Sequence, residues 1–252
     1  MEGRSPHFMQ TYRAELHVHT VLSPCAAIEM IPPLIVEQAL QLGIHLLAIT
    51  DHNASANASA VIQAARGTPL HILPGMELQT REETHLLCLF DTLDQLNTWQ
   101  TIVDNHLPNI PNNIDYFGEQ FIVDHQGEFI RRENRLLLNS VNLTLQQATA
   151  HINNLGGLPI PAHVDRKANG LIETLGLIPP GFEALEISRH LSPESARLKY
   201  PQLKDYPLIQ SGDVHHIDDF LGSTFLTLTA PTIPEIRLAL TSQNGRSLRV
   251  TH

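Results

Sequence analysis

The stretch Ala14-Glu15-Leu16-His17-Val18-His19-Thr20-Val21-Leu22-Ser23-Pro24-Cys25 decides how this chain is read. Its first half alternates, and the alternation predicts a strand over residues 13–20. Side chains at i and i+2 share one face of a strand, so His17 and His19 project together while Leu16 and Val18 point the other way. Two imidazoles aimed at one point are the beginning of a metal site. The remaining sequence is then a search for the ligands that complete it.

Downstream, apolar runs alternate with helical spacing. Residues 34–42 have helical periodicity, with Pro32 and Pro33 tolerated in the first turn and Gly43 as C-cap. Residues 45–50 form a buried strand ending in Thr50-Asp51-His52-Asn53, and an Ala-rich helix over 54–66 closes at Gly67. A strand over 70–73 runs into Pro74-Gly75-Met76-Glu77, and further strands are expected at 85–90, 158–162, 182–188, 207–211 and 225–228. Helices are expected at 92–107, 144–155 and 231–240. Between them, residues 108–118 are irregular and 121–130 read as a β-hairpin around Gln126-Gly127. This alternation predicts a parallel α/β fold. The chain is read as a single domain over residues 1–252, with 97–135 an excursion from the main architecture.

Several of these runs end in a metal-capable residue: His19, His52, Glu77, His163, and then Asp213 with His215. In a parallel barrel the strand C-termini converge on one face, which would bring these residues together. Asp213 and His215 repeat the i, i+2 spacing of His17 and His19. His85 differs, because it stands at the start of its run.

His17-Val18-His19, Thr50-Asp51-His52-Asn53, Pro74-Gly75-Met76-Glu77, His85, Pro161-Ala162-His163 and Gly212-Asp213-Val214-His215 resemble, in order, the motifs of the PHP (polymerase and histidinol phosphatase) family. The resemblance runs from about Ala14 to about Phe220. It implies a distorted, TIM-like (β/α)7 barrel holding two or three Zn, Mn or Fe ions at the C-terminal ends of its strands. By the resemblance, His17, His19, Glu77 and Asp213 share one metal and His52 and His215 serve a second. A bridging Glu77 with His85 and His163 then holds a third. The implied chemistry is phosphoester hydrolysis by a metal-bound hydroxide. One position departs from the pattern: Cys25 stands where the family commonly has a further histidine. A thiolate is a competent zinc ligand, so Cys25 is either a ligand or a packed thiol.

Composition bounds the function. The chain has 252 residues, 42% of them hydrophobic, enough for a sizeable core. No run approaches 18 apolar residues, so no membrane span is expected. The leading residues 1–10 lack the apolar core of a signal peptide, which suggests a cytoplasmic protein. Two cysteines, Cys25 and Cys88, are then free thiols. A formal net charge of -10 argues against extended nucleic acid as partner, and leaves room for a small phosphorylated substrate, because bound cations invert the local field.

Arg166 and Arg189 follow metal-capable or strand-end positions and are candidate phosphate contacts. Asp51 is a candidate support for the ligand cluster or a helix cap. His7, His45, His71, His106, His125, His151, His190 and His252 are read as surface or structural. The expected activity is hydrolysis of a small phosphoester. Its rivals are a nuclease or nucleotide phosphatase acting on short oligonucleotide ends, and a non-catalytic metal-binding regulatory module. Oligomeric state carries no signal in the sequence.

Overall fold

The computed structural model describes residues 8–251. His7, His252 and most of the leading stretch discussed above lie outside the described residues. The first half runs β1 (Gln10–Val18), α1 (Pro32–Gln41), β2 (Leu46–Ile49), α2 (Ala58–Ala64), β3 (His71–Gln79), β4 (His85–Leu89), α3 (Leu93–Asp104), α4 (Ile114–Phe117), β5 (Phe121–Val123) and β6 (Phe129–Arg132). The second half runs α5 (Leu145–Asn154), β7 (Leu158–Pro161), α6 (Leu171–Leu175), β8 (Leu185–Ile187), α7 (Pro193–Lys199), β9 (Leu208–Gln210), β10 (Thr224–Leu228), α8 (Ile233–Leu240) and β11 (Ser247–Val250).

The fold is α/β and TIM-like. A curled 7-stranded sheet has the order β11-β10-β1-β2-β3-β4-β7, and β8 and β9 form a parallel pair. Backbone bonds carry the ring past the sheet's edge. Val164 donates to the carbonyl of Glu186 at 2.9 Å, which joins β7 to β8. Val214 donates to the His17 carbonyl and accepts from the His19 N–H, both at 3.0 Å, which joins the chain beyond β9 to β1.

The parallel expectation holds for β1, β2 and β3. It fails at β4, which is antiparallel to both β3 and β7, and at β10, which is antiparallel to β1. Chain length is the reason at β4. Only residues 80–84 connect it to β3, enough for a hairpin and far too few for a parallel crossover. The reversal places the first residue of β4, His85, opposite Gln79 at the far end of β3. The strand β11 was not expected from the sequence. It pairs with β10 at the sheet's edge.

Two apolar layers flank the strands. Val18, Leu47, Ile49, Met76, Leu86 and Phe90 pack toward the helices with Trp99 of α3 and Ile152 of α5. Leu16, Leu46, Ala48, Leu73, Leu87 and Ile160 form the second layer, closed by Ile233 and Ile236 of α8. Leu16 and Val18 therefore fall in different layers. Simple alternation breaks between Glu15 and Val18, where the register with β2 shifts and the strand is locally irregular, as at a bulge. Capping boxes at Thr92 with Gln95 and at Thr144 with Gln147 start α3 and α5.

The expected hairpin is β5 and β6, and it is tied to the barrel through one buried amide. Asn57 donates to Thr20 Oγ1 at 2.9 Å and to the Phe121 carbonyl at 3.0 Å, and accepts from the Val123 N–H at 3.0 Å. Removing a side chain that satisfies buried backbone groups leaves them without partners. Asn57→Ala is expected to lower the unfolding free energy by about 2–3 kcal/mol, measured by urea denaturation.

Candidate metal centre

Glu77 lies inside β3, two residues from its end, where the sequence reading had placed it past the strand. It is fully buried. Five imidazoles surround its carboxylate. His17 Nε2 lies 3.2 Å, His163 Nε2 3.1 Å and His85 Nδ1 2.7 Å from Oε1, and His52 Nδ1 lies 3.1 Å and His19 Nε2 3.3 Å from Oε2. Asp213 closes the ring, with Oδ1 3.2 Å from His17 Nε2 and 3.4 Å from His19 Nε2. The His19 and His215 rings stack with centroids 4.1 Å apart.

Each position has a local cause. His17 and His19 leave the end of β1, and His52 follows β2, joined to Glu77 by a parallel bridge. His85 arrives because β4 is reversed. His163, just after β7, adopts φ 31, and Asp213, beyond β9, adopts φ 52. These left-handed conformations are uncommon for residues with a Cβ and mark bends held by their surroundings.

Every sequence-predicted ligand except Cys25 therefore reaches this cluster. Three groups have ligand atoms within 4.8 Å of one another: His17, His19, Glu77 and Asp213; His19, His52 and His215; and His52, Glu77 and His85. The grouping differs from the implied one in two respects. His19 joins His52 and His215, and His52 rather than His163 joins Glu77 and His85. Neither Cys25 nor His163 enters these groups, although His163 Nε2 lies 3.1 Å from Glu77 Oε1. Although Cys25 is surface-exposed, surrounding protein atoms and the charge of Glu77 push its thiol up to about 12.

The cluster fits divalent cations. His17 Nε2, His19 Nε2 and Glu77 Oε2 are buried without hydrogen-bond partners, although potential partners lie 3.1–3.4 Å away. Such convergence without hydrogen bonding is what a shared cation satisfies. At a metal–nitrogen distance of about 2.1 Å, tetrahedral ligands are separated by about 3.4 Å. The charges agree. Burial opposes a charged Glu77, yet the histidines hold its carboxyl well below the usual carboxylate range. Burial likewise opposes charge on His17, but Glu77, Glu186 and Asp213 hold it well above the usual histidine value. His52 is pushed well below that value by burial, and His215 down to about 4. Positive charge is thus favoured at His17 and His19, while His52 and His215 are kept as neutral imidazoles, the form that ligates a metal.

Several supporting residues escaped the sequence reading. Glu186 of β8 accepts from His17 Nδ1 at 2.9 Å. Asn169 contacts His85 Nε2 through its side-chain amide. Ser23 Oγ lies 3.0 Å from His19 Nδ1 and donates to Asp51 at 2.8 Å. Asp51 also accepts from Thr20, so it supports the ligand loop and does not cap α2. Glu15 accepts from the backbone of Gly212, Leu221 and Gly222, fixing the loop that carries Asp213. The available signal was acidity inside apolar strands: Glu15 and Glu186 interrupt otherwise buried runs.

Beside the cluster is a cavity of about 400 Å³ whose lining includes His163, Arg166, Glu186, Arg189 and Asp213. Arg166 pairs with Asp213 and Arg189 with Asp219. Both candidate phosphate contacts thus border the cavity, and Arg166 touches the cluster at Asp213. Among the described residues, no helix is long and apolar enough to cross a membrane. At a hundredfold excess over its Kd, Zn²⁺ or Mn²⁺ is expected to add about 2.7 kcal/mol of stability. For a chain of this size that raises Tm by about 5–10 °C. Glu77→Ala is expected to abolish the rise, as read by differential scanning calorimetry.

The PHP domain family model matches residues 15–175. No curated protein matches the sequence. Among solved structures, endonuclease Q from Pyrococcus furiosus is similar at a TM-score of 0.70 and 20% identity, over 95% of this chain and 58% of that one. An endonuclease Q complex with a 27-mer duplex bearing an abasic lesion at the active site gives 0.64 at 19% identity, over 94% and 58%. A candidate metal-dependent phosphoesterase from Bifidobacterium adolescentis gives 0.55 at 18% identity, over 81% and 87%. At these identities the likeness is one of fold, and the chain spans less than two thirds of the length of endonuclease Q. The complex overturns the expectation against extended nucleic acid, since a protein of this fold binds duplex DNA. The physical error lay in using net charge, which sums the whole surface, where binding depends on the potential of one face. The ordered histidine and carboxylate segments lie largely within the matched residues, and this chain belongs to the PHP domain family.

Proposed function

We propose that this protein is a metal-dependent phosphoesterase that hydrolyses a small phosphoester. The observation that carries the reading is the convergence of three adjoining ligand groups on and around Glu77. The proposed ligands are His17, His19, His52, Glu77, His85, His163, Asp213 and His215, for two or three divalent ions. Imidazole with carboxylate suits Zn, Mn or Fe. Such ions polarise a phosphoryl oxygen and lower the pKa of coordinated water.

The chain's own residues supply the remainder. Arg166 and Arg189 border the cavity and present guanidinium donors suited to phosphoryl oxygens. Asp213 and Asp219 hold them in place. Ser23 and Asp51 keep the His19 ring oriented. The cavity's volume of about 400 Å³ falls in the range of small-ligand sites. We take residues 1–252 as one domain, with 97–135 an excursion beside the ligand loops. Two unpaired thiols, Cys25 and Cys88, suit a reducing, cytoplasmic setting.

A second reading, a nuclease, is favoured by the likeness to endonuclease Q over 95% of this chain. Turnover of p-nitrophenyl phosphate, bis-p-nitrophenyl phosphate and an abasic DNA duplex separates the two. Preference for either small ester supports the first reading, and preference for the duplex supports the second. No hydrolysis of any of them after metal reconstitution refutes both.

Three predictions follow from the proposed roles. His19→Ala and Asp213→Ala are each expected to lower kcat at least about a hundredfold while leaving circular dichroism unchanged. Arg166→Ala is expected to raise KM about tenfold. Wild-type kinetics in these variants would contradict the assignment. Cys25→Ser is expected to leave metal stoichiometry and turnover unchanged, checked by elemental analysis and the same assay.

A further inference from the structure

Glu186 belongs to none of the three ligand groups, yet it touches two of the proposed ligands at once. Its side chain is buried, and one oxygen does all its work. Oε2 accepts from His17 Nδ1 at 2.9 Å and from the backbone N–H of His163 at 3.1 Å. Its carbonyl oxygen accepts from Val164 at 2.9 Å. Oε1 has no hydrogen-bond partner although it is buried.

We infer that Glu186 is a positioning residue that sets His17 and His163 together for metal binding. The inference rests on the reading of these histidines as ligands. A neutral imidazole has one N–H and one lone pair. With Nδ1–H donating to a carboxylate, the lone pair is on Nε2, the nitrogen that faces Glu77 and Asp213. The anionic acceptor also raises the basicity of the ligating nitrogen. His163 needs a second kind of help. Its φ of 31 is a left-handed conformation, which a residue with a Cβ keeps only where its surroundings hold it. Glu186 holds both its N–H and the next residue's.

A glutamine at this position keeps the shape and one acceptor oxygen for both N–H groups, because an amide turned the other way would set its NH2 against the His163 N–H. It removes the negative charge beside His17 and leaves a weaker acceptor on Nδ1. Metal affinity should therefore fall in the glutamine variant although the shape and the backbone contact are kept, which loss of a structural contact alone would not produce.

The test uses the full chain, stripped of metal, with Zn²⁺ or Mn²⁺ alone titrated against a chromophoric chelator. Circular dichroism of the apo protein is measured in parallel. Glu186→Gln is expected to keep the wild-type spectrum while metal affinity falls about tenfold, and Glu186→Ala to lose about 10- to 100-fold in affinity. If Glu186→Ala does not fold, Glu186→Gln alone decides. Wild-type affinity in Glu186→Gln overturns the inference, as does a loss of affinity accompanied by a changed spectrum. Wild-type protein that binds no metal refutes the ligand assignment and this inference together. Wild-type protein that binds metal without hydrolysing any phosphoester refutes the proposed activity and leaves this inference standing.

Discussion

A fully buried carboxylate ringed by five histidines is the constraint on which this structure depends. An isolated charge at the depth of Glu77 would be driven to neutralise. Here the neighbours are imidazoles within 2.7–3.3 Å, and two of the facing nitrogens, Nε2 of His17 and of His19, have no hydrogen-bond partner. Protons resolve only part of the arrangement, because burial and mutual repulsion hold His52, His85 and His215 below the usual histidine value while the carboxylates hold His17 and His19 above it. Divalent cations would satisfy the remaining lone pairs and balance the carboxylates.

Bringing these groups together requires a fold that ends many strands at one place. β1, β2 and β3 do so as parallel neighbours, and the continuation of β9 joins them through Val214. β4 contributes by running backward. Its reversal delivers His85 from the start of a strand to the site that other strands reach by their ends. The bends at His163 and Asp213 finish the enclosure.

Around the ligands lies a shell of polar side chains that fixes their orientation. Ser23 and Asp51 hold His19, Asn169 meets His85, and Glu15 holds the segment bearing Asp213. Each contact uses a group that would be costly to bury unpaired. The similarity to endonuclease Q shows how far such a core can be elaborated, because this chain spans only part of that protein's length.

The sequence by itself determined the α/β class, most elements, and the identity of the residues that gather at Glu77. These were legible because strand periodicity and ligand chemistry are local: the alternation at His17 and His19 fixes two directions at once. What only the tertiary structure decided depends on contacts between distant segments. The reversal of β4, the split of Leu16 from Val18 between two apolar layers, and the pairing of Glu186 with His17 across 169 positions leave no periodic trace. The regrouping of His19 with His52 and His215 is of the same kind. Ligand type is written in the residue, whereas the partner each ligand meets is set by how the strands close into a ring.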